Sequence, residues 1–273
     1  MAQHLKGPKG IGKLNRALKN LAKEALMKFN IAIMSSSYFH RLNERAEAAD
    51  DLELLRCLSD RHTSLLLKAM SGSRSQLRQD LFVLSETDFK SDGFFVEFGA
   101  TNGVDLSNTY LLEKEFGWNG ILAEPARRWH EDLRRNRSCN IETDCVWRES
   151  NSILTFNEVE SGEYSTISSF NSLDGHRKRR RQGKSYEVRT ISLQDLLAKY
   201  SAPRDIDYLS IDTEGSEFEI LSHFDFEKYK FRIITCEHNF SPARERIFSL
   251  LTRNGYVRKF EKLSSFDDWY VRN

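Results

Sequence analysis

Residues 96–109 read VEFGATNGVDLSNT. The apolar run FFVEF (94–98) meets the acid Glu97 at its end and passes straight into a turn carrying Gly99 and Gly103. Glycine is needed where backbone takes a positive φ or comes close to a ligand. The next residues, NTYLLEKEF (108–116), have a helical composition. The same rhythm recurs along the chain. GILAE (120–124) precedes RRWHEDLRRN (127–136), and NIETDCVW (140–147) reads as a third strand. DYLSID (207–212) precedes GSEFEILSHF, and RIITCEH (232–238) precedes SPARERIFSLLTRNG. YVRKF and DWYVR close the chain as a β-hairpin. Strands alternating with helices predict an α/β fold with a mostly parallel sheet covered on both faces. In such sheets ligands bind at the carboxyl ends of the strands, where the strand order switches. Function is therefore expected at residues 97–103, 124–125, 144–145, 212–217 and 237–239.

The rest of the chain frames that domain. With 273 residues, 39% of them hydrophobic and Phe alone contributing 18, one large domain with an appendage can be filled. A net charge of +1 argues against a globally basic nucleic-acid binder. The cysteines at 57, 139, 145 and 236 form no CxxC pair and have no His at zinc-finger spacing. Reduced thiols are expected, and with no signal-like start or ~20-residue apolar run, a cytoplasmic protein. Residues 1–28 carry seven cations against Glu24 alone, with Ile11, Leu14, Leu18, Leu21 and Ala25 at helical spacing. That stripe suits a helix packing on its own domain or on a second copy, as in a homo-oligomer. The sharper but less favoured reading is a peripheral helix on an anionic membrane surface or on a partner. Helical character continues over 38–70 and breaks at Ser71-Gly72-Ser73. The expected division is an appendage over 1–72 and a main domain over 73–273, with an insertion at about 148–206.

The strand ends carry acids. G-x-x-x-G after Glu97 departs from the dinucleotide G-x-G-x-x-G. A carboxylate there suits a ligand ammonium, as at the amino-acid end of S-adenosylmethionine; ordinary turn chemistry is the plainer reading. Glu124 in ILAEP is placed to accept from ribose hydroxyls, or is simply a solvated loop acid. Asp144-Cys145 falls where an adenine edge would lie. SIDTEGSEFEIL (210–221) gathers Asp212, Glu214 and Glu217, and CEHN (236–239) adds Glu237, His238 and Asn239.

Together FVEFGATNGVDLSNT, ILAEP, YLSIDTEGSEFEIL and ITCEHN resemble the FkbM family of S-adenosylmethionine-dependent methyltransferases. SQLRQDLFVL (75–84) looks like the family's entry segment, with Arg78 intervening. The resemblance covers roughly residues 74–273. It implies a class I methyltransferase, Rossmann-like fold with six parallel strands and one antiparallel. It also implies O-methylation of a sugar, glycan or related small molecule. By the same resemblance Glu97, Gly99, Ala100, Thr101, Asn102 and Gly103 form the cofactor loop. Asn108 and Thr109 line the pocket, Glu124 and Pro125 hold ribose, Asp144 and Cys145 touch adenine, and Asp212 lies beside the reactive methyl.

A sugar hydroxyl is a poor nucleophile, so its proton must be taken or polarised. His238 has the ordinary pKa for that role, with Asp212, Glu214 and Glu237 orienting it or accepting the proton. Asp212, Glu237 and His238 also resemble the oxygen-rich site of metal-dependent catechol-class O-methyltransferases, which implies Mg²⁺ or Mn²⁺ there. The insertion is the expected acceptor region. It holds EYSTISSF (163–170), with Ser165 and Thr166, and the cationic run HRKRRRQGK (176–184), which would suit an anionic acceptor or a solvated loop. The contrasting reading is a methyltransferase-like binding protein acting through its basic N-terminus.

Overall fold

The structure is a computed structural model describing residues 35–58, 60–159, 166–167 and 183–273. The basic N-terminal segment, most of EYSTISSF and all but the end of HRKRRRQGK lie outside the described residues. The chain divides into two compact units, residues 1–52 and 53–273. The first includes most of helix α1 (Ser36–Cys57). The division falls ahead of the Ser71-Gly72-Ser73 break, because Leu54, Leu58, Leu66 and Ala69 are buried in the larger unit's core. Among the described residues no helix is long and apolar enough to cross a membrane.

The larger unit is built on a seven-stranded sheet. Its strands are β1 (Phe94–Phe98), β2 (Asn119–Ala123), β3 (Asn140–Glu142), β8 (Asp205–Ile211), β9 (Lys230–Glu237), β10 (Tyr256–Lys259) and β11 (Asp267–Arg272). They lie in the order β3-β2-β1-β8-β9-β11-β10. Only β11 runs against the others, pairing antiparallel with both β9 and β10. The expected closing hairpin is present, but β11 inserts between β9 and β10. Six parallel strands and one antiparallel are what the family resemblance implies. The chain moves outward from β1 to β2 and β3, then returns to the other side of β1 as β8. The resulting switch point lies between the carboxyl ends of β1 and β8.

Alternate side chains on β1 explain the two covered faces. Val96 and Phe98 join one core with Leu193, Leu196 and Leu197 of a helix at Leu193–Lys199, and with Ile247 and Leu251 of a helix at Ala243–Arg253. Phe95 joins the other with Leu81, Phe82, Val83 and Leu84 of Gln79–Glu86, and with Leu111 and Leu112 of Tyr110–Phe116.

The stretch 140–147, read as one strand, is two. The Glu142 side chain accepts from the backbone N–H groups of Thr143 and Asp144 at 2.9 and 3.0 Å, which turns the chain out of the sheet. The next strand, β4 (Cys145–Trp147), belongs to a second sheet with β5 (Ile153–Glu158), β6 (Thr166–Ile167) and β7 (Lys184–Ser192), ordered β4-β7-β5-β6.

The reversed strand carries its own anchor. Trp269 is fully buried and stacks on Phe82 with ring centroids 4.8 Å apart. Truncating a buried Trp forfeits its transfer energy and opens a cavity. Trp269→Ala is expected to lower stability by about 3–5 kcal/mol in urea unfolding, provided the variant still folds reversibly.

Candidate active site

The carboxyl ends of β1, β2 and β8, with the start of β4 and Phe156 of β5, enclose a cleft of about 760 Å³ open to solvent. Its apolar wall is Phe98, Leu106, Ala123, Cys145, Val146 and Phe156. Its polar wall is Glu124, Asp212, Thr213, Glu214 and Ser216. Gly99, Thr101 and Pro125 complete it. Of the expected site residues, Gly99, Thr101, Glu124, Pro125, Cys145, Asp212 and Glu214 come together here.

Gly99 shows why the turn needs glycine. It has φ +75°, and a Cβ would stand 2.1 Å from the backbone oxygen of Asp212. The close approach welds the end of β1 to the end of β8.

Glu97 does not line the cleft. It is buried and accepts from the Asn108 backbone N–H at 2.7 Å, the Ser107 hydroxyl at 3.0 Å and the Thr109 hydroxyl. Its partner across the loop is Arg137, whose guanidinium lies 3.8 Å away. Arg137 is fully buried, pairs with Glu113 at 2.7 Å, and donates to the Gly103 carbonyl, Ser107 and Thr109. The sequence reading assigned Glu97 to a ligand ammonium; its oxygens instead fold the loop back on itself. Arg137 was missed because it is one arginine among several in RRWHEDLRRNR, with nothing local to single it out.

The remaining loop residues shape the turn. Ala100 is buried, and Gly103 packs against Arg137 and Leu133. Asn102 accepts from the backbone of Val104 and Asp105 at 2.9 Å each. Asn108 donates to Ser210 at 2.9 Å, leaving its buried carbonyl oxygen without a partner. Asp144 faces Arg189 at 3.2 Å rather than the cleft. Ser216 stands at the start of the helix Glu217–Ser222 without a side-chain capping bond. Glu217 ties the preceding turn, accepting from the backbone of Thr213 and Gly215 and from the Thr213 hydroxyl.

Glu124 is held by the backbone N–H groups of Thr101 and Ala126, both at 2.8 Å. Burial outweighs those bonds and pushes its carboxyl up to about 7. Asp212 opens onto the cleft. The surrounding protein still displaces most of its water, lifting its carboxyl to about 6, while a hydrogen bond from Glu237 limits the rise. Glu237 is raised well above the usual range by burial and by the charge of Asp212. Two carboxyls this close cannot both ionise readily, so Glu237 keeps the proton and donates it to Asp212. Asp212, Glu214 and Glu237 bring ligand atoms within 4.8 Å of one another.

His238 is not in that trio. Its Nδ1 accepts from the Phe240 backbone N–H at 3.0 Å. Its Nε2 is buried without a hydrogen-bond partner, 3.8 Å from Asp268. Burial lowers its pKa. The expected set of Asp212, Glu237 and His238 is therefore not brought together; among the described residues the converging groups are the carboxyls of Asp212, Glu214 and Glu237. The backbone turns between 237 and 238, and side chains on successive residues face opposite ways.

A family model described as the methyltransferase FkbM domain matches residues 97–260. No curated protein matches the chain. Among solved structures, the chain is similar to a methyltransferase FkbM from Methylobacillus flagellatus KT: 12% identity, TM-score 0.45, covering 83% of this chain and 59% of that one. It is also similar to a precorrin-6y C5,15-methyltransferase from Geobacter metallireducens GS-15, at 12% identity and TM-score 0.36, covering 70% and 85%. A third is the CurJ carbon methyltransferase, at 10% and 0.36, covering 88% and 71%.

Crowded acids make stability pH-dependent. Asp267 is pushed up to about 8 by burial and Glu124 to about 7, against about 4 for such groups unfolded. The folded state then binds more protons than the unfolded state, so stability rises as pH falls through these values. Between pH 8.5 and 7.5, above the ~6.5 pKa of histidines in the unfolded chain, the melting temperature should climb on the order of 2 °C. Asp267→Asn should remove much of that slope in a thermal scan.

Proposed function

Because the chain belongs to the methyltransferase FkbM domain family, we propose that it is an S-adenosylmethionine-dependent O-methyltransferase acting on a hydroxyl of a sugar, glycan or related small molecule. The observation that carries this reading is the hydrogen-bonded Asp212–Glu237 pair at the edge of a cleft that suits the cofactor. The donor set fits the group. Phe98, Ala123, Cys145, Val146 and Phe156 offer an apolar slot for a purine. Glu124, at the end of β2, would accept from ribose hydroxyls. The acids of the polar wall suit a cation. When bound, S-adenosylmethionine supplies an electrophilic methyl on a cationic sulfonium.

The protein's own work is to hold an acceptor hydroxyl and take its proton. Glu237, raised by burial and by the charge of Asp212, orients Asp212 by hydrogen bonding. Asp212, ionised above about pH 6, faces the cleft and accepts the hydroxyl proton. His238 serves this site through the turn it holds. The neighbouring carboxylates give a second reading, in which Asp212, Glu214 and Glu237 hold Mg²⁺ or Mn²⁺ through hard oxygen ligands.

Glu124→Gln is expected to weaken S-adenosylmethionine binding by roughly tenfold in calorimetry, the worth of one charge-assisted hydrogen bond. No binding of millimolar cofactor to the parent protein would sink the enzyme reading. With methyl-tritiated donor and a panel of hexoses and methyl hexosides, Asp212→Asn should cut transfer by roughly 10²-fold or more. The parent rate should fall below about pH 6, while His238→Gln, which can still accept from Phe240, keeps most activity. Transfer that survives prolonged chelation supports the acid–base route; loss restored by Mg²⁺ or Mn²⁺ assigns the three carboxylates to a metal.

A further inference from the structure

Beyond β9, residues His238–Ser241 make a tight turn closed by the Ser241 N–H on the His238 carbonyl at 2.7 Å. Both central residues are left-handed, Asn239 at φ 43° and Phe240 at φ 54°. Asn tolerates that conformation; Phe does not adopt it readily. Phe240 is nevertheless 72% exposed, the most exposed of the large apolar side chains described.

Two other phenylalanines, Phe89 and Phe260, are also left-handed, and packing offsets their strain. Phe89 sits against His62 and Phe116, and Phe260 against Phe82 and Trp269. Phe240 belongs to no core cluster, and its described ring contact is the edge of His238 at 5.4 Å. The turn is also built with care. His238 Nδ1 accepts from the Phe240 N–H, and the Phe266 carbonyl accepts from the N–H groups of His238 and Asn239. Strain held in place by such contacts is a mark of functional sites.

The location gives that ring a task. The turn follows Glu237, whose carboxyl bonds Asp212 on the cleft. Leu106, which lines the cleft from the β1 side, is likewise exposed (46%) and left-handed (φ 59°).

We infer that Phe240 is the platform on which the methyl acceptor's ring lies, its flat C–H face against the aromatic ring, so that an acceptor hydroxyl reaches Asp212. His238 is a positioning residue that holds the platform. The inference rests on the methyltransferase reading above and names the acceptor's chemistry: a pyranose-like ring with an apolar face.

The test uses the full chain labelled with 4-fluorophenylalanine and saturated with S-adenosylhomocysteine. The resonance missing from Phe240→Gly identifies position 240. Titration with methyl β-D-glucopyranoside and methyl α-D-mannopyranoside should shift that resonance saturably with at least one glycoside. Phe240→Gly should bind that glycoside at least tenfold more weakly, bind S-adenosylhomocysteine as the parent does, and melt at a higher temperature because glycine relieves the strain. Phe240→Tyr should bind the glycoside as the parent does. An unmoved resonance with both glycosides, or unchanged glycoside affinity in Phe240→Gly, overturns the inference. Failure of the parent to bind S-adenosylhomocysteine at all would instead overturn the methyltransferase reading on which it rests.

Discussion

The buried guanidinium of Arg137 organises the cofactor side of the sheet. It is fully shielded from water and touches Glu113, the Gly103 carbonyl, Ser107 and Thr109, with Glu97 close by. Burying such a charge is costly unless every donor is satisfied. Here four hydrogen bonds reach convergent oxygens, and the pairing is strong enough to hold Glu113 down at about 2 against the opposing effect of burial. Through this one cation the glycine turn after β1, the start of the next helix and the C-terminal end of the helix at His130–Asn136 become a single rigid piece. The cleft wall they support includes Gly99 and Thr101, and Thr101 in turn positions Glu124.

On the other side of the switch point the logic reverses. There the acids outnumber their cations. Asp212, Glu217, Glu237 and Asp267 are all raised, chiefly by burial. The fold accepts that penalty at the edge where the proposed methyl transfer would need a cationic ligand and a proton acceptor. Asp268 is paired, since Arg244 and Arg258 reach it at 2.8 and 3.3 Å. The net charge of +1 is therefore a sum over unlike zones. One has a saturated buried ion network, one has crowded carboxyls, and the cationic stretches lie in residues 1–28 and 176–184.

Much of the fold was legible because period and punctuation are local. FFVEF, GILAE, DYLSID and RIITCEH are apolar enough to be buried on both faces, and each is followed by turn residues and a helical pattern. The site was legible only as a neighbourhood. Strand ends containing Glu124, Asp212 and Glu214 had to meet once the sheet was parallel. The split at 142–145 was hidden, because a side chain capping its own next two backbone N–H groups leaves no mark on an apolar run. The burial of residues 54–69 was hidden as well, since a leucine-rich helix reads alike whether it covers a core or another chain.

The sequence alone determined the alternation of strand and helix, the acids at the strand ends and the need for glycine at 99. Those follow from spacing, composition and backbone sterics, which act over a few residues. Tertiary structure alone decided what each acid does. Glu97 became a fold anchor when Arg137 arrived from another helix, and Glu124 and Asp212 kept faces toward the cleft. His238 turned away from the carboxylates to hold Phe240. A carboxylate's role depends on its partners and on how much water it keeps, and both are set by residues far away in the chain.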